Sequence, residues 1–273
     1  MKKKHINASL IFCLLSVIFL SSACKWNKGR VEDGEKSGSE AKDIVSDNLD
    51  SLHVTDTSDS LLYIEYDFQY LKSNGMVCDS INASITQNLV SGKRETDARK
   101  AILNALVDES VRMKTEIAEY YEPDDETYVD ARYSIRRTGH FHSDAADTVI
   151  VYKATIDMYT GGAHGSFTPL TLNFSRKTGH LLTPDDVFDM NRANEILALM
   201  YAQLLKDKSC STREELMEKT SLLTLGELYL TPNFHLGKNA ITFCFGQYDI
   251  APYSCGITYI SLNYDTISPF LKK

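Results

Sequence analysis

The most unusual local run in the sequence is a glycine-dense stretch, Tyr159-Thr160-Gly161-Gly162-Ala163-His164-Gly165. Glycines would let a ligand approach the backbone closely, and the imidazole of His164 could supply a proton or a metal bond. If the imidazole acted as a base, a carboxylate such as Asp249 could orient it. The simpler interpretation, which we favour, is a tight turn that needs positive φ angles, with the histidine hydrogen-bonded locally.

No other run completes a catalytic site. The sequence has no G-x-S-x-G elbow, H-E-x-x-H motif, P-loop or EF-hand loop. His140 and His142 would share one face of a strand, but a protein zinc site usually needs three or four ligands. We therefore predict no catalytic residue, no metal and no cofactor. An envelope polysaccharide hydrolase or esterase that uses His164 is kept as the alternative.

The elements that would position these residues follow from hydrophobic periodicity. Alternation predicts a strand at 62–70, followed by a short helix from about residue 80 and a long helix at 96–121. Further strands are predicted at 128–137, 148–159, 168–175, 240–246 and 257–264, with helices at 192–206 and 212–219. Thr183-Pro184-Asp185-Asp186 is typical of a helix start. The order predicts an α+β fold: antiparallel sheets with helices packed on one face, in two associated subdomains, 61–125 and 126–273.

The N-terminus predicts export. Lys2-Lys3-Lys4 precede an apolar run and the small residues Ser21-Ser22-Ala23 before Cys24, as in a secretory signal peptide that spans residues 1–23. The small residues resemble the lipobox of bacterial lipoproteins, in which the cysteine is lipidated, although Ser21 stands where leucine is usual. Lipidation at Cys24 would anchor the chain to a membrane of the cell envelope, on its periplasmic or outer-membrane face. Cleavage after Ala23 without a lipid, which would give a free secreted protein, is the rival interpretation.

The composition restricts the classes of partner that the chain is expected to bind. Residues 1–23 carry three lysines and no acid, so the remaining 250 residues have 26 basic and 37 acidic side chains, a net charge of −11. An acidic surface argues against nucleic acid as a partner. Residues 24–60 are polar and charged, which predicts a flexible tether. Cys78, Cys210, Cys244 and Cys255 permit two disulfides in three connectivities, and buried free thiols are the open alternative.

Several runs between residues 159 and 253 resemble one known family. These are the glycine-dense run, Leu172-Asn173-Phe174, Leu182-Thr183-Pro184-Asp185-Asp186-Val187-Phe188 and Tyr248-Asp249-Ile250-Ala251-Pro252-Tyr253. Together they are similar to the C-terminal domain of RsiV-type anti-sigma factors, a domain of uncertain function that also occurs in PdaC-type deacetylases outside the catalytic domain. The stretch at 62–121 looks like the small module that usually precedes it. The resemblance implies that this domain is a binding module of the cell envelope, and one member of the family binds lysozyme.

We therefore expect a non-catalytic lipoprotein that binds a protein, such as a lysozyme, or a cell-wall glycan such as peptidoglycan. Recognition usually sits on loops that a rigid scaffold holds. The candidate loops are 159–165 and 249–253, which combine glycine or proline with aromatic residues. Their candidate binding residues are Tyr159, Gly161, Gly162, His164, Asp249, Pro252 and Tyr253.

Overall fold

The computed structural model describes residues 44–72, 75–120 and 132–272. The predicted signal peptide, Cys24, the first part of the predicted tether and the predicted boundary between residues 125 and 126 lie outside these ranges. Within them, no helix combines the length and the apolar character that a membrane span requires.

A five-stranded sheet forms the centre of the described fold. Its strands are β1 (Leu49–Asp56), β2 (Leu62–Leu71), β3 (Tyr133–His142), β4 (Val149–Tyr159) and β5 (Ser166–Ser175), and they lie side by side in chain order. β2 and β3 run parallel, whereas the other neighbours are antiparallel. The parallel pair arises because the connection from β2 to β3 is a crossover that contains two helices. Strands from both predicted subdomains therefore share one sheet.

The helices and the second sheet complete the fold. The α-helices are α1 (Ile44–Asn48), α2 (Met76–Ile85), α3 (Ala98–Tyr120), α4 (Pro184–Val187), α5 (Ala193–Asp207), α6 (Arg213–Thr220) and α7 (Tyr264–Ile267). A π-helical turn follows α2 at Thr86–Val90, and 3₁₀ turns lie at Met190–Arg192, Tyr253–Cys255 and Ser268–Phe270. Strands β6 (Phe234–Leu236), β7 (Ala240–Phe245) and β8 (Thr258–Asn263) form an antiparallel sheet. This mixture confirms the predicted α+β class.

Strand β1 corrects the prediction of a flexible tether that extends to Ser60. Its eight residues pair with β2 from Leu49↔Leu71 to Asp56↔Ile64, and Leu52 is buried in the core. The Asp56 carboxylate accepts hydrogen bonds from Ser58 and from Ser110 of α3. The segment is an edge strand with one buried face, so its polar composition conceals a strand that long-range pairing holds in place.

Strand β4 separates two hydrophobic cores because side chains alternate between the faces of a strand. Ile150, Tyr152 and Ala154 belong to a core that β1, β2, α2 and α3 complete. Val149 and Val151 belong to a second core, built with α5, α6 and the three-stranded sheet. The central sheet is thus covered on both faces, which makes it a rigid support for the loops at its ends.

The cysteines resolve an alternative that the sequence left open. Cys78, Cys210 and Cys244 are buried and Cys255 is partly buried, and Cys210, Cys244 and Cys255 are free thiols. Burial raises the pKa of the Cys244 thiol to about 11, so this group remains protonated at neutral pH. Two disulfides among these four cysteines are therefore not formed, and the structure favours the alternative of buried free thiols.

Candidate functional site

A cleft of about 450 Å³ lies between the edge strand β5 and the loops that follow β4 and β7. Its volume is within the range of small-ligand sites, roughly 300–1,000 Å³. The lining residues are mainly aromatic or uncharged polar: Met158, Thr160, His164, Gly165, Ser166, Thr168, Pro169, Leu170, Tyr229, Thr231, Pro232, Asn233, Gly246, Gln247, Tyr248, Asp249 and Tyr253. The two loops predicted from the sequence therefore meet at one concavity.

The glycine-dense loop is a tight turn, as the favoured interpretation predicted. Gly161 and Gly162 have φ angles of 89° and 91°, which side chains rarely adopt. The Tyr159 hydroxyl donates a hydrogen bond to the carbonyl of Gly162 at 3.0 Å and so closes the loop on itself. A Cβ at Gly165 would lie 2.7 Å from the carbonyl oxygen of Met158, which explains a glycine there. This rigid turn presents His164 to the cleft.

The second loop follows β7 and is fixed by its own acidic residue. The Asp249 carboxylate accepts a hydrogen bond from the backbone N–H of Gly246 at 2.6 Å. Pro252 precedes the 3₁₀ turn at Tyr253–Cys255, and its carbonyl accepts the N–H of Cys255 at 2.9 Å. These local bonds place the Tyr253 ring at the mouth of the cleft.

Three rings from the two loops form what we call the aromatic wall: His164, Tyr248 and Tyr253. The His164 and Tyr253 rings stack with centroids 3.7 Å apart and planes inclined by 15°. The Tyr248 ring lies 5.9 Å from that of Tyr253. The Tyr248 hydroxyl is 3.5 Å from His164 Nε2, at the long end for a hydrogen bond. Although the loops are far apart in sequence, ring contacts join them into one surface.

The opposite side of the cleft is the outer edge of β5, which side-chain amides cover. Asn233 donates to the carbonyl of Pro169 at 2.7 Å and accepts from the N–H of Thr171 at 2.9 Å. Gln247 accepts from the N–H of Phe167 at 3.0 Å. An uncovered edge would offer these backbone groups to another strand. The amides therefore satisfy the edge and fix its position relative to the loops.

The cleft carries little charge. Among the described residues that line it, Asp249 is the only aspartate, glutamate, lysine or arginine. Burial raises the pKa of the Tyr229 hydroxyl, and the negative charge of Asp249 raises that pKa further. Tyr229 is therefore neutral near pH 7, and its hydroxyl directs its one proton to the Asp249 carboxylate.

Of the seven predicted binding residues, the cleft brings three together: His164, Asp249 and Tyr253. Each of the other four supports the loops: Tyr159, Gly161, Gly162 and Pro252. Sequence reasoning did not single out Tyr229, Asn233 or Gln247. Asn233 and Gln247 form hydrogen bonds with β5, and Tyr229 lies close to Asp249. These contacts depend on long-range packing, which no local sequence pattern indicates.

The catalytic arrangement considered for His164 is not formed. Its Nδ1 lies 3.1 Å from the carbonyl oxygen of Gly165, and its Nε2 faces Tyr248. Because both ring nitrogens of His164 face these other groups and the Asp249 carboxylate accepts from Gly246, the predicted orientation of His164 by Asp249 is wrong. The local bonds that shape the second loop hold this carboxylate.

A metal site has no support in the described ranges. His140 lies 3.3 Å from Asp67, whereas His142 carries a lowered pKa because of burial and the positive charge of Lys153. Within residues 44–72, 75–120 and 132–272, no group of three or more His, Cys, Asp or Glu side chains is arranged to hold an ion.

The backbone of Tyr248 leads to a stability prediction. Its φ angle of 67° is left-handed, which costs a residue with a side chain roughly 1–2 kcal/mol relative to glycine. We expect Tyr248→Gly to be less destabilising, by about 1 kcal/mol or more, than Tyr259→Gly, because Tyr259 lies in regular strand β8. Both rings are about half exposed, 44% and 54%. Urea unfolding of the two variants would measure the difference, and equal losses would contradict backbone strain at Tyr248.

Comparison with known proteins gives one family match over part of the chain and two similar solved structures that each cover 82% of it. A family model described as "Protein of unknown function (DUF3298)" matches residues 185–265. A DUF3298 family member from Bacteroides fragilis has a similar crystal structure, with 26% identity and a TM-score of 0.70, over 82% of this chain and 93% of that one. A DUF3298 family protein from Pseudomonas aeruginosa, 15% identical, covers 82% and 94% with a TM-score of 0.56 and supports the fold alone. No curated protein matches the chain.

Proposed function

We propose that this chain is a non-catalytic binding protein of the bacterial cell envelope and that its cleft binds a saccharide of the cell-wall glycan. The aromatic wall is the observation that carries this proposal. Sugar rings present apolar C–H faces that pack on aromatic rings, and their hydroxyls need polar partners. The cleft offers both, because Tyr229, Thr231 and Asp249 lie beside the wall.

The dimensions of the cleft also favour a small ligand group. At about 450 Å³ the cavity accommodates one or two sugar units of a longer chain. Its open side would let the remaining units extend into solvent. The predicted anchor at Cys24 would place this site close to a membrane, within reach of cell-wall strands.

A protein ligand such as a lysozyme is the second candidate. The predicted net charge of −11 after residue 23 would attract a cationic protein and raise its association rate. The RsiV-type resemblance supports the same candidate. The concave cleft, however, fits a saccharide better than it fits a flat protein surface, so we place the glycan first.

One binding experiment separates the two. The protein that begins at Lys25 is incubated at low salt with insoluble purified peptidoglycan and, separately, with immobilised lysozyme. A titration with the N-acetylglucosamine tetramer follows by calorimetry. Retention on peptidoglycan together with saturable heat from the tetramer supports the proposal. Retention on lysozyme alone would favour the second candidate, and retention on neither would contradict both.

The lipid anchor is a separate proposal with its own measurement. Lipidation of Cys24 would give a mature protein that starts at this residue and carries acyl chains. Mass spectrometry of the N-terminal peptide after expression in a bacterial host should find the mass of a peptide that starts at Cys24 and carries acyl chains. A peptide that starts at Cys24 without acyl chains would show secretion without an anchor.

A further inference from the structure

The charge of the cleft determines which saccharides it can accept. Asp249 is the one fully charged side chain among the described lining residues, and no lysine or arginine lines the cleft beside it. A carboxylate or phosphate on a ligand would therefore meet a like charge without a compensating cation. Acidic sugars are disfavoured for this reason, whereas neutral and cationic sugars are not.

The Asp249 carboxylate is held in place and keeps capacity for a ligand. The N–H of Gly246 donates to its Oδ2 at 2.6 Å, which fixes the group at the start of the loop. A carboxylate has about four acceptor positions, so the bonds from the Gly246 N–H and the Tyr229 hydroxyl leave about two of them for a ligand. Asp249 is also exposed, so a ligand donor can approach it from solvent.

The aromatic neighbours of Asp249 add to the same preference. The rings of Tyr229, Tyr248 and Tyr253 border the cleft with it. The face of an aromatic ring attracts a cation through its quadrupole, and tyrosine rings together with a carboxylate are a recurrent way to bind an ammonium group. Neither the ring faces nor the carboxylate would stabilise an anionic group of a ligand.

We propose that Asp249 and the tyrosines around it form a subsite for the protonated amine of an amino sugar, such as a glucosamine unit without its acetyl group. This inference rests on the proposed function and names the saccharide class that the cleft prefers. The sugar ring packs on the aromatic wall, and its ammonium group donates hydrogen bonds to the Asp249 carboxylate. Charge-assisted bonds of this kind are about twice as strong as neutral ones.

The test compares three tetrasaccharides of similar size: glucosamine, N-acetylglucosamine and the acidic galacturonate. They are titrated by calorimetry into the protein that begins at Lys25, at a mildly acidic pH at which the amines are protonated. The variant is Asp249→Asn, because the amide oxygen can still accept from Gly246. The matched control is Asp108→Asn, which removes the same charge from the exposed face of α3.

We expect the wild-type protein to prefer the glucosamine tetramer over the acetylated one by about three- to tenfold and to bind galacturonate most weakly. Asp249→Asn should remove the preference for glucosamine, because it weakens binding of the glucosamine tetramer more than it weakens binding of the acetylated one. Asp108→Asn should keep the wild-type order. Circular dichroism and urea unfolding check that each variant is folded.

Three results would overturn the subsite. In one, Asp249→Asn retains the full preference for glucosamine. In another, Asp249→Asn and Asp108→Asn reduce it equally, which would show an effect of overall charge. In the third, Asp249→Asn weakens only lysozyme capture, so that the carboxylate serves a protein partner. If the wild-type protein bound no tetramer at all, the proposed function itself would fail, and this outcome is distinct from the other three.

Discussion

Replacing Arg137 by methionine is expected to lower the free energy of unfolding by about 3 kcal/mol, the low end of the range for breaking a buried ion pair, because it leaves the buried Glu109 carboxylate with only the half-exposed Arg112, 3.2 Å away, as a counter-charge. Arg137 lies on β3 and Glu109 on α3, which packs over the sheet. The guanidinium donates from Nη2 to Glu109 Oε1 at 2.8 Å and from Nε to Oε2 at 3.0 Å. The side chain of Glu109 is 8% exposed and that of Arg137 is 18% exposed.

The surroundings show why the loss should be large. Burial alone would raise the pKa of Glu109, but the hydrogen bonds and charge of Arg137 outweigh it and hold that pKa below its usual value. Tyr66, fully buried on β2, donates its hydroxyl to the same carboxylate. The guanidinium carbon of Arg137 also lies 5.7 Å from the centre of the Tyr66 ring. Removing the arginine therefore disturbs two groups that are almost wholly buried, Glu109 and Tyr66.

The adjacent residue provides the control. Arg136 pairs with Glu65 at 2.5 Å, but its side chain is 50% exposed. We expect Arg136→Met to cost less than about 1 kcal/mol, since exposed ion pairs contribute little. Urea denaturation followed by circular dichroism would compare the two variants. Adding Glu109→Leu to Arg137→Met should recover part of the loss, and equal effects of the two arginine substitutions would contradict a buried pair.

The elements that the sequence predicted well are those with strong local signals. Thr183 caps α4 through a capping box with Asp186, as the run Thr-Pro-Asp-Asp indicated. Strands β4 and β5 also lie within two residues of their predicted bounds. These patterns depend on neighbours in the chain, so the sequence alone contains the information.

The elements that sequence reasoning missed depend on distant partners. Strand β1 has few apolar residues, and its pairing with β2 holds it in the sheet. Strand β6 has only three residues, which is too short for a periodic signal. The parallel pairing of β2 with β3 likewise follows from the crossover and not from the pattern of either strand. Tertiary packing decides all three features.

The cleft shows the same division. Glycine and proline indicated that loops 159–165 and 249–253 are turns, and the φ angles of Gly161 and Gly162 confirm this for the first. That the loops would meet was not predictable, because it requires His164 to stack on a tyrosine 89 positions away. The hydrogen bonds of the Asn233 side-chain amide to β5 also join residues that are 62 and 64 positions apart. Local residue types therefore predicted the loops, and the fold determines the cleft.

Tyr253 should matter most for binding, because its ring joins the two loops of the aromatic wall. We expect Tyr253→Ala to weaken binding of the N-acetylglucosamine tetramer by about tenfold or more. The substitution removes a ring that a sugar can pack on, and it also releases His164 from its stacked position at 3.7 Å. Calorimetric titration of wild type and variant gives the ratio directly.

Two further variants separate the ring from other effects. Tyr253→Phe keeps the stacking surface and should retain most of the affinity, whereas loss with phenylalanine would assign the effect to the hydroxyl. Tyr259→Ala removes a tyrosine that borders a different cavity beside Lys153 and Cys244, so it should bind as the wild type does. If Tyr253→Ala is folded and binds as tightly as Tyr259→Ala, the saccharide does not pack on the aromatic wall. The stack of His164 and Tyr253 would then serve only to join the two loops.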